Sequence, residues 1–479
     1  MAKDPESPAT TSLAFDEMLP SWEKIRAVLN GTPAMRAAGE AYLPRHTMEE
    51  DNQYKERLNA TTLYNQTAIT LDGWVGRPFS EPIGLEDVPA VVDGLLEDVD
   101  LRGNNIHVFC RGWFKDGLAK AMSHVYVDYP RVDREQPRTL ATDREEALRP
   151  YWVHILPDQL IFADAEVING REILREIRIK EEVTVRDGFA EYCIPQIRRV
   201  YVNFTELGGV GHIELWQERK VKGKKKVEWV IVDEYDYDLD VIPFVTFYSD
   251  RCGFMRGKPP LEDLVELNIT HWQSTSDQRA CLTVARFPIL FQTGGTDDDG
   301  PTTIGPRRML FDSNPATRFG YVEHTGAALK VGQDDLDKLE MQMAGYGAEF
   351  LKKRPGDETA TARALDSAEA SSPLQDVTRR FADALTQALA MTALWMKQET
   401  GGVATLVTDF GPEEVSDAEL NTLKETRKSR DLSLQTYLEE LQRRGLLPEE
   451  LDIEEEMGRI EQEQLKMLPA GPLEEEPVV

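Results

Sequence analysis

Residues 151–249 constrain the fold of this chain more than any other stretch, because their pattern is that of a sheet and not of a helix. The stretch is rich in Val, Ile, Tyr, Phe and Trp, and turn residues separate its short runs. Such runs are typical of strands in an antiparallel sheet. We therefore predict strands at EILREIRIKEEVTV, IRRVYVNF, GHIELWQERK, KVEWVIVDEYDYDL and VIPFVTFYS.

Helical patterns flank the predicted sheet on both sides. SWEKIRAVLNG has apolar residues at helical spacing and ends at Gly31, which suits the position after a helix C-cap. Thr47 and Glu50 form a candidate capping box, and one long helix that ends near Pro78 is expected to follow. Helical spacing returns after Pro260 in three segments, of which the last is rich in alanine. The chain is therefore predicted to be an α+β protein.

The C-terminal part has the pattern of acidic helices. Ser416 and Glu419 form a second candidate capping box, and LSLQTYLEELQ carries an apolar stripe. The first residues, MAKDPESPATTSLAFDEMLP, and the last, LPAGPLEEEPVV, are predicted to be disordered because they contain few residues that could form a core.

The charge of the chain excludes some classes of function. The formal net charge is -30 and the pI is about 4.7, so the surface as a whole repels nucleic acid. A conventional DNA-binding protein shows a basic face instead. No apolar run reaches the roughly 18 residues of a membrane span, and no membrane partner is expected. The four cysteines form no CxxC and are expected to be free thiols.

Several local patterns resemble chemical sites but lack a required residue. GFMRGKPP is one residue short before Gly257, and Pro259 replaces the Ser or Thr with which a phosphate loop holds magnesium. DDDG, which begins at Asp297, lacks the alternating ligands and the terminal Glu of a calcium loop. His107 and Cys110 could share one face of an element, but no second ligand pair accompanies them. We therefore predict no enzymatic activity, no metal and no cofactor.

A basic cluster in FLKKRPGDETATARALDSAEASS is unusual for so acidic a chain. Lys352, Lys353 and Arg354 are adjacent, and the Pro-Gly pair after them ends a helical pattern. Asp357 and Glu358 follow, and acids of this kind suit the N-terminus of a new helix. The sequence predicts a break between two helices here.

Longer segments, and the order of the parts, resemble the portal proteins of tailed bacteriophages. YLPRHTMEEDNQYKERLNATTLYNQTAITLDGWVGRPFSEP is similar to the N-terminal segment of one portal family, with its Tyr-Leu-Pro, its Tyr-x₂-Arg-Leu helix and its Gly-x-Pro-Phe ending. VYVDYPRV, PPLEDLVELNITHWQSTSDQ and ETATARALDSAEASSPLQDV are similar to the same family. The resemblance extends from about Trp22 to Glu463.

The resemblance implies an α+β phage portal fold whose parts follow one another along the chain. They are a disordered lead at 1–20, a helical and then β-rich wing at 21–258, a first stem helix at 259–290, a clip at 291–330, a second stem helix at 331–352, a tunnel loop at 353–370, a long wing helix at 371–400, a helical crown at 401–466 and a disordered acidic tail at 467–479.

The resemblance also implies a function and partners. Portal proteins of this family form a ring of twelve at one capsid vertex, through which double-stranded DNA is packaged and ejected. The implied partners are the terminase large subunit, the head–tail adaptor, and the major capsid and scaffold proteins. The implied location is the virion, and the host cytoplasm during assembly.

The resemblance further assigns two sets of candidate site residues. The tunnel loop and its DNA-facing side would contain Lys352, Lys353, Arg354, Asp357, Glu358, Thr359 and Thr361. The clip would meet its partners through Asp297, Asp298, Asp299, Arg307 and Arg308. Exposed arginines suit acidic partners because the guanidinium can bind a carboxylate with two hydrogen bonds.

Alternatives remain open for the basic cluster and for the whole chain. The cluster at 352–354 could contact DNA phosphates, cap the preceding helix, or pair with acids of a neighbouring subunit. The chain could be a non-catalytic scaffold or adaptor of a virion or other assembly. An unrecognised nuclease or hydrolase is a third reading, and it predicts clustered carboxylates or histidines.

Overall fold

Helical and extended segments alternate along the chain in nearly the order that the sequence predicts. The computed structural model describes residues 4–131, 148–168, 170–205, 208–220, 227–286, 289–294, 316–322, 327–349, 372–408, 417–429 and 431–443, with short pieces at 410, 447, 451–453 and 455–460. The chain divides into two units, residues 1–408 and 409–479.

Helices precede and follow the strands of the first unit. They are α1 (Leu13–Leu29), α2 (Gly31–Ala38), α3 (Asp51–Ala60), α4 (Gln66–Gly76), α5 (Ala90–Asp93), α6 (Ile106–Lys120), α7 (Glu262–Ala285), α8 (Ala327–Glu349) and α9 (Pro373–Trp395). The second unit contains α10 (Asp417–Lys428) and α11 (Leu434–Arg443), which pack against each other, and Leu438 is buried there.

The strands of the first unit form antiparallel sheets. They are β1 (Gly84–Glu86), β2 (Met122–Asp128), β3 (Tyr151–Ile155), β4 (Leu160–Ile168), β5 (Arg171–Asp187), β6 (Ala190–Thr205), β7 (Gly208–Lys220), β8 (Val227–Tyr237), β9 (Phe244–Tyr248), β10 (Arg251–Gly253), β11 (Arg256–Gly257), β12 (Ile289–Thr293), β13 (Arg318–Val322) and β14 (Val403–Thr405). The main sheets have the orders β4-β5-β6-β7-β8 and β3-β2-β9, and β1-β14, β10-β11 and β12-β13 form three two-stranded sheets.

The prediction of an antiparallel β-rich part is confirmed. All five predicted strands exist, as β5 to β9, and their order along the chain is also the order of pairing from β5 to β8. The pairing between β5 and β6 runs without a register shift from Glu176 opposite Tyr201 to Asp187 opposite Ala190. Alternation of buried and exposed residues on such long strands fixes the register, because a slip of one residue would turn every side chain to the other face.

Two apolar clusters cover the two faces of the five-stranded sheet. Ile177 and Val200 pack on one face with Tyr126 and Phe244 of the smaller sheet. On the other face, helix α1 packs through its apolar stripe, which contains Phe15, Met18 and Trp22. The sheet therefore lies between the smaller sheet and α1.

Helix α1 begins earlier than predicted, and the expectation of a disordered lead is wrong for residues 13–20. The hydroxyl of Ser12 accepts a hydrogen bond from the backbone N–H of Phe15 at 3.1 Å, which caps the helix. Phe15 and Met18 are buried against the five-stranded sheet. The helix ends as predicted, since Gly31 has a φ of +76° after the C-cap.

The predicted capping box at Thr47 is also wrong. Helix α3 begins only at Asp51, and Gln53 accepts a hydrogen bond from the backbone N–H of Glu50 at 3.3 Å. Met48 has a φ of +69°, which is a left-handed conformation, so the helix does not extend back through this residue. The expected single long helix is two helices, because Asn65 caps α4 by accepting from the backbone N–H of Ala68 at 3.0 Å.

Other boundaries differ from the prediction by a few residues. The first predicted stem helix ends early, because the chain is already extended at Ile289, just after Pro288. The second begins at Ala327 instead of residue 331. The start of the predicted helical crown is extended instead, since residues 403–405 form β14 and pair with β1.

Candidate functional site

Helices α7 and α8 form an antiparallel hairpin that is closed by polar contacts along its length. Near the β12–β13 end, the side-chain amide of Gln278 donates to the backbone carbonyl of Leu329 at 2.8 Å. In the middle, His271 Nε2 lies 3.2 Å from Glu340 Oε1. At the far end, the hydroxyl of Tyr346 donates to the carbonyl of Pro260 at 2.8 Å.

The two helices lie close together at Gly332. A Cβ atom at this position would lie 2.1 Å from Oε1 of Gln278, so a side chain here would displace that amide. A helical glycine costs about 1 kcal/mol relative to alanine in propensity. The close helix contact explains its presence here.

Residues 42–57, from the N-terminal part of the chain, form hydrogen bonds to helix α7. We call this segment the clasp. The carbonyl of Tyr42 accepts a hydrogen bond from the Gln273 side chain at 3.0 Å. Three residues further along α7, the hydroxyl of Ser276 accepts from Arg57 at 3.2 Å. The clasp therefore holds one face of α7 at two successive positions.

Arg57 is the centre of the clasp. Its guanidinium donates to both carboxylate oxygens of Glu49, at 2.7 and 2.8 Å, and to the carbonyl of Pro44 at 2.8 Å. Both charged side chains are more than nine-tenths buried. The hydrogen bonds from Arg57 lower the pKa of Glu49 to about 2, so the carboxylate is ionised at neutral pH. Tyr54 completes the clasp through its hydroxyl, which donates to the Leu43 carbonyl at 3.0 Å.

Asn268 fixes helix α7 to the start of α4. Its carbonyl oxygen accepts from the backbone N–H and the hydroxyl of Thr67, at 3.1 and 2.9 Å. Its amide donates to the carbonyl of Tyr64 at 2.7 Å. The side chain is fully buried, and these bonds satisfy both of its polar atoms.

The Gly-x-Pro-Phe ending of the same N-terminal pattern reaches helix α9. The ring of Phe79 lies 5.6 Å from that of Phe114 on α6 and 6.0 Å from that of Phe381 on α9. Phe381 in turn packs edge-on against Trp113 and Phe247. One continuous stretch of sequence, residues 42–79, thus connects α7 to α9.

A two-stranded sheet closes the end of the α7–α8 hairpin. Strands β12 and β13 pair from Ile289 opposite Val322 to Thr293 opposite Arg318. The predicted clip residues lie between these strands, outside the described residues; they are Asp297, Asp298, Asp299, Arg307 and Arg308. The predicted tunnel-loop residues also lie outside the described part of the chain; they are Lys352, Lys353, Arg354, Asp357, Glu358, Thr359 and Thr361.

The sequence did not single out the residues that position this hairpin. Arg57 is part of the Tyr-x₂-Arg-Leu pattern, but the pattern does not say what the arginine binds. Asn268 carries a clearer signal, since it is a polar residue between Leu264 and Trp272 on a face that is otherwise apolar. A buried amide at such a place needs hydrogen-bond partners, and these must come from another part of the chain.

One group of side chains resembles a hydrolytic triad in composition but not in geometry. Ser123 Oγ lies 2.8 Å from His154 Nε2, and Asp116 Oδ2 lies 3.6 Å from the same nitrogen. A relay needs the carboxylate and the nucleophile on opposite ring nitrogens. Ser123 is also fully buried, so substrate cannot reach it. Burial lowers the pKa of His154 to about 4, so its imidazole is neutral at pH 7.

Across the described ranges, no cluster of three or more His, Cys, Asp or Glu side chains is arranged to hold a metal ion. His107 and Cys110 do share helix α6, where Cys110 is fully buried, and burial raises the pKa of its thiol. No helix within the described residues is long and apolar enough to span a bilayer.

A family of unknown function covers the hairpin and the helix after it. The family described as "Domain of unknown function (DUF4055)" matches residues 260–396, which begin just before α7 and end just after α9. No curated protein matches the chain.

Solved structures from gene transfer agent particles show a distant likeness. A chain from the neck of the native particle is 11% identical, with 78% of this chain and 88% of that chain covered and a TM-score of 0.36. A chain from the virion of the native particle is 13% identical, with 86% and 99% covered and a TM-score of 0.36. These TM-scores are too low to carry an argument about fold or function.

Proposed function

We propose that this chain is a portal protein of a tailed bacteriophage. Twelve copies form a ring at one vertex of the capsid, and double-stranded DNA passes through its channel during packaging and ejection. The ring docks the terminase large subunit first and the head–tail adaptor later. It also contacts the major capsid and scaffold proteins, and it is part of the virion.

The observation that carries this proposal is the position of the residues that resemble the portal family. The Tyr-Leu-Pro and Tyr-x₂-Arg-Leu elements lie in the clasp on α7, and Phe79 packs against α9. The PPLEDLVELNITHWQSTSDQ segment begins just before α7 and forms most of it. Segments that are far apart in sequence but carry one resemblance therefore meet around one hairpin, which favours a shared architecture.

The proposal assigns a role to each part of the molecule. Helices α7 and α8 are the stem, and β12, β13 and the residues between them are the clip. The two main sheets and α1 belong to the wing, with α9 as its long helix, and residues 409–466 form the crown, which the tail at 467–479 follows. Residues 350–371 contain the tunnel loop. A ring of this kind closes through contacts between unlike faces of neighbouring copies.

The acidic charge of the chain agrees with the task of a DNA conduit. Each firm contact between a lysine and a phosphate adds to DNA affinity, and a ring of twelve repeats every contact twelve times. A channel must let DNA slide, so its wall should repel the phosphates or bind them weakly. A chain with a net charge of -30 provides such a wall.

The basic cluster before the tunnel loop would be a local exception to the acidic wall of the channel. Charge reversal at Lys352, Lys353 and Arg354 separates its possible roles. If the cluster touches DNA, the substituted rings stay intact and package DNA differently. If it caps a helix or pairs with a neighbouring copy, the rings themselves become less stable.

The mass of the purified protein tests the proposal. Light scattering should give a particle of about 650 kDa for twelve chains of 54.2 kDa each. Isolated portals also form rings of slightly different size, so a neighbouring ring number would still support the proposal. A monomer or dimer at every concentration tested would contradict it.

A further inference from the structure

The end of the α7–α8 hairpin that carries β12 and β13 differs in charge from the chain as a whole. Beyond Asp277 on α7 and before Asp334 on α8, the described residues at this end contain no Asp or Glu; they are 278–286, 289–294, 316–322 and 327–333. They contain four exposed cations, Arg279, Arg286, Arg318 and Lys330. The whole chain carries -30, so this concentration of positive charge is local.

Arg279 contacts the helical part of the chain beside α7, because its guanidinium donates to the carbonyl of Ala60 at 3.1 Å. The other three cations lie at the β12–β13 end of the hairpin. Arg286 comes just after the last turn of α7, Lys330 lies in the first turn of α8, and Arg318 lies at the outer end of β13. Positive charge therefore lies at both ends of the β12–β13 ribbon.

Two large aromatic rings are exposed on the same ribbon. Phe291 is 41% exposed and Phe319 is 38% exposed. Phe291 pairs with Gly320, and Phe319 with Gln292, so adjacent ladder positions turn the two rings to opposite faces. The Phe291 ring lies on Gly320, where a Cβ atom would meet it at 2.8 Å. Exposed phenylalanine together with arginine is typical of the centre of a protein–protein interface.

We propose that this end docks an acidic protein segment that carries apolar side chains. We call the surface the basic end, and it consists of Arg286, Phe291, Arg318, Phe319 and Lys330. Its cations complement carboxylates, and its two phenyl rings, one on each face of the ribbon, supply apolar area to a partner segment that wraps around the ribbon. Duplex DNA fits less well, because exposed phenyl rings offer nothing to a phosphate backbone. The inference deepens the proposed function by naming the chemistry of the clip's partner, and it rests on that function for the number of copies that present the surface.

Binding of model peptides to the full-length protein tests the inference. The first probe is a labelled peptide of glutamate, leucine and tryptophan, the second has lysine in place of glutamate, and the third is a DNA duplex of about 20 base pairs. The acidic peptide should bind at least about tenfold more tightly than either of the others. Arg286→Gln and Arg318→Gln should each weaken it about fivefold, and Phe291→Ala and Phe319→Ala about tenfold.

Lys338→Gln is the matched control, since it removes the same charge from an exposed position further along α8. It should change the affinity for the acidic peptide less than about twofold. The inference is overturned if Lys338→Gln weakens binding as much as Arg286→Gln, or if the acidic peptide binds no better than its lysine counterpart. Tighter binding of the duplex, lost in the two arginine variants, would also overturn it in favour of a nucleic-acid surface.

Light scattering on the same samples separates this inference from the proposed function. A ring of unchanged mass that does not bind the acidic peptide defeats only the docking surface. A monomer that binds the peptide with the expected residue dependence defeats only the ring.

Discussion

At the scale of single residues, Arg57 shows why the clasp depends on a guanidinium. It donates to a carboxylate with two hydrogen bonds, to the carbonyl of Pro44 and to the hydroxyl of Ser276. An ammonium group could not reach these partners in the same plane. Since both side chains are buried, the loss of Arg57 would leave the carboxylate of Glu49 without its charged partner.

Arg57→Ala should therefore lower the free energy of unfolding by about 3 kcal/mol, as the loss of one partner from a buried ion pair usually does. Arg57→Lys should be intermediate, because it keeps the charge but loses the planar fork. Denaturant unfolding of the purified variants measures both effects. Arg186→Ala is the control, since Arg186 pairs with Glu191 at the surface and should hardly change stability. Equal losses at Arg186 and Arg57 would show that burial is not the cause.

The same pair predicts how stability depends on pH. The pKa of Glu49 is lowered to about 2 in the folded state, so the unfolded chain takes up this proton first as the pH falls. Its contribution should be complete above about pH 5 and disappear between about pH 4.5 and pH 2. Glu49→Gln should be less stable than the parent at pH 7, and the difference should shrink across that window. A difference that stays constant from pH 7 to pH 2 would contradict the assignment.

At the scale of elements, one close contact between α7 and α8 requires a glycine. Gly332 allows Gln278 to lie against α8 and to donate to the carbonyl of Leu329. Gly345 in the same helix has no atom within 4 Å of the place where a Cβ would stand. The two glycines therefore share a helix but differ in what surrounds them.

Alanine substitutions at these glycines should have different effects. Gly345→Ala should raise the free energy of unfolding by about 0.5–1 kcal/mol through helix propensity alone. Gly332→Ala should bring no such gain, because the new methyl group displaces the Gln278 amide and costs a hydrogen bond of about 1 kcal/mol. Thermal unfolding of the two variants side by side measures the difference. A similar gain at both sites would show that the contact with Gln278 is unimportant.

The elements were predictable from the sequence to the extent that local pattern determines them. Strands β5 to β9 follow from alternation and composition, and α9 from its apolar spacing. The start of α3 was misplaced, because the Thr47–Glu50 spacing matches a capping box while the backbone turns at Met48. The clasp could not be predicted, since Arg57 and Ser276 are more than 200 residues apart in sequence and neither residue type alone implies the contact.

At the scale of the whole molecule, charge is the property that best fits the proposed task. The chain carries -30, and a ring multiplies the resulting repulsion of phosphates. The basic end of the α7–α8 hairpin is a local departure, and its phenyl rings favour a protein partner over DNA. In the proposed portal, one surface therefore repels DNA and a different surface docks an acidic partner.

The assembled protein should bind duplex DNA only weakly. At about 0.15 M salt the dissociation constant should lie at or above about 10⁻⁴ M, the weak end for non-specific binding. Affinity should change little with salt, since few phosphates are neutralised. Titration of a labelled duplex at several salt concentrations measures both quantities. Submicromolar binding with a steep salt dependence would contradict a repulsive channel.

Negative-stain electron microscopy of the purified full-length chain tests the central claim most directly. The portal proposal predicts ring-shaped particles with a central channel and a rotational symmetry at or close to twelvefold. Ring-shaped end views in the class averages would support it, and side views should show the stem and clip projecting from a wider wing. Fields of single small particles without a channel, at concentrations where the protein is fully folded, would contradict it.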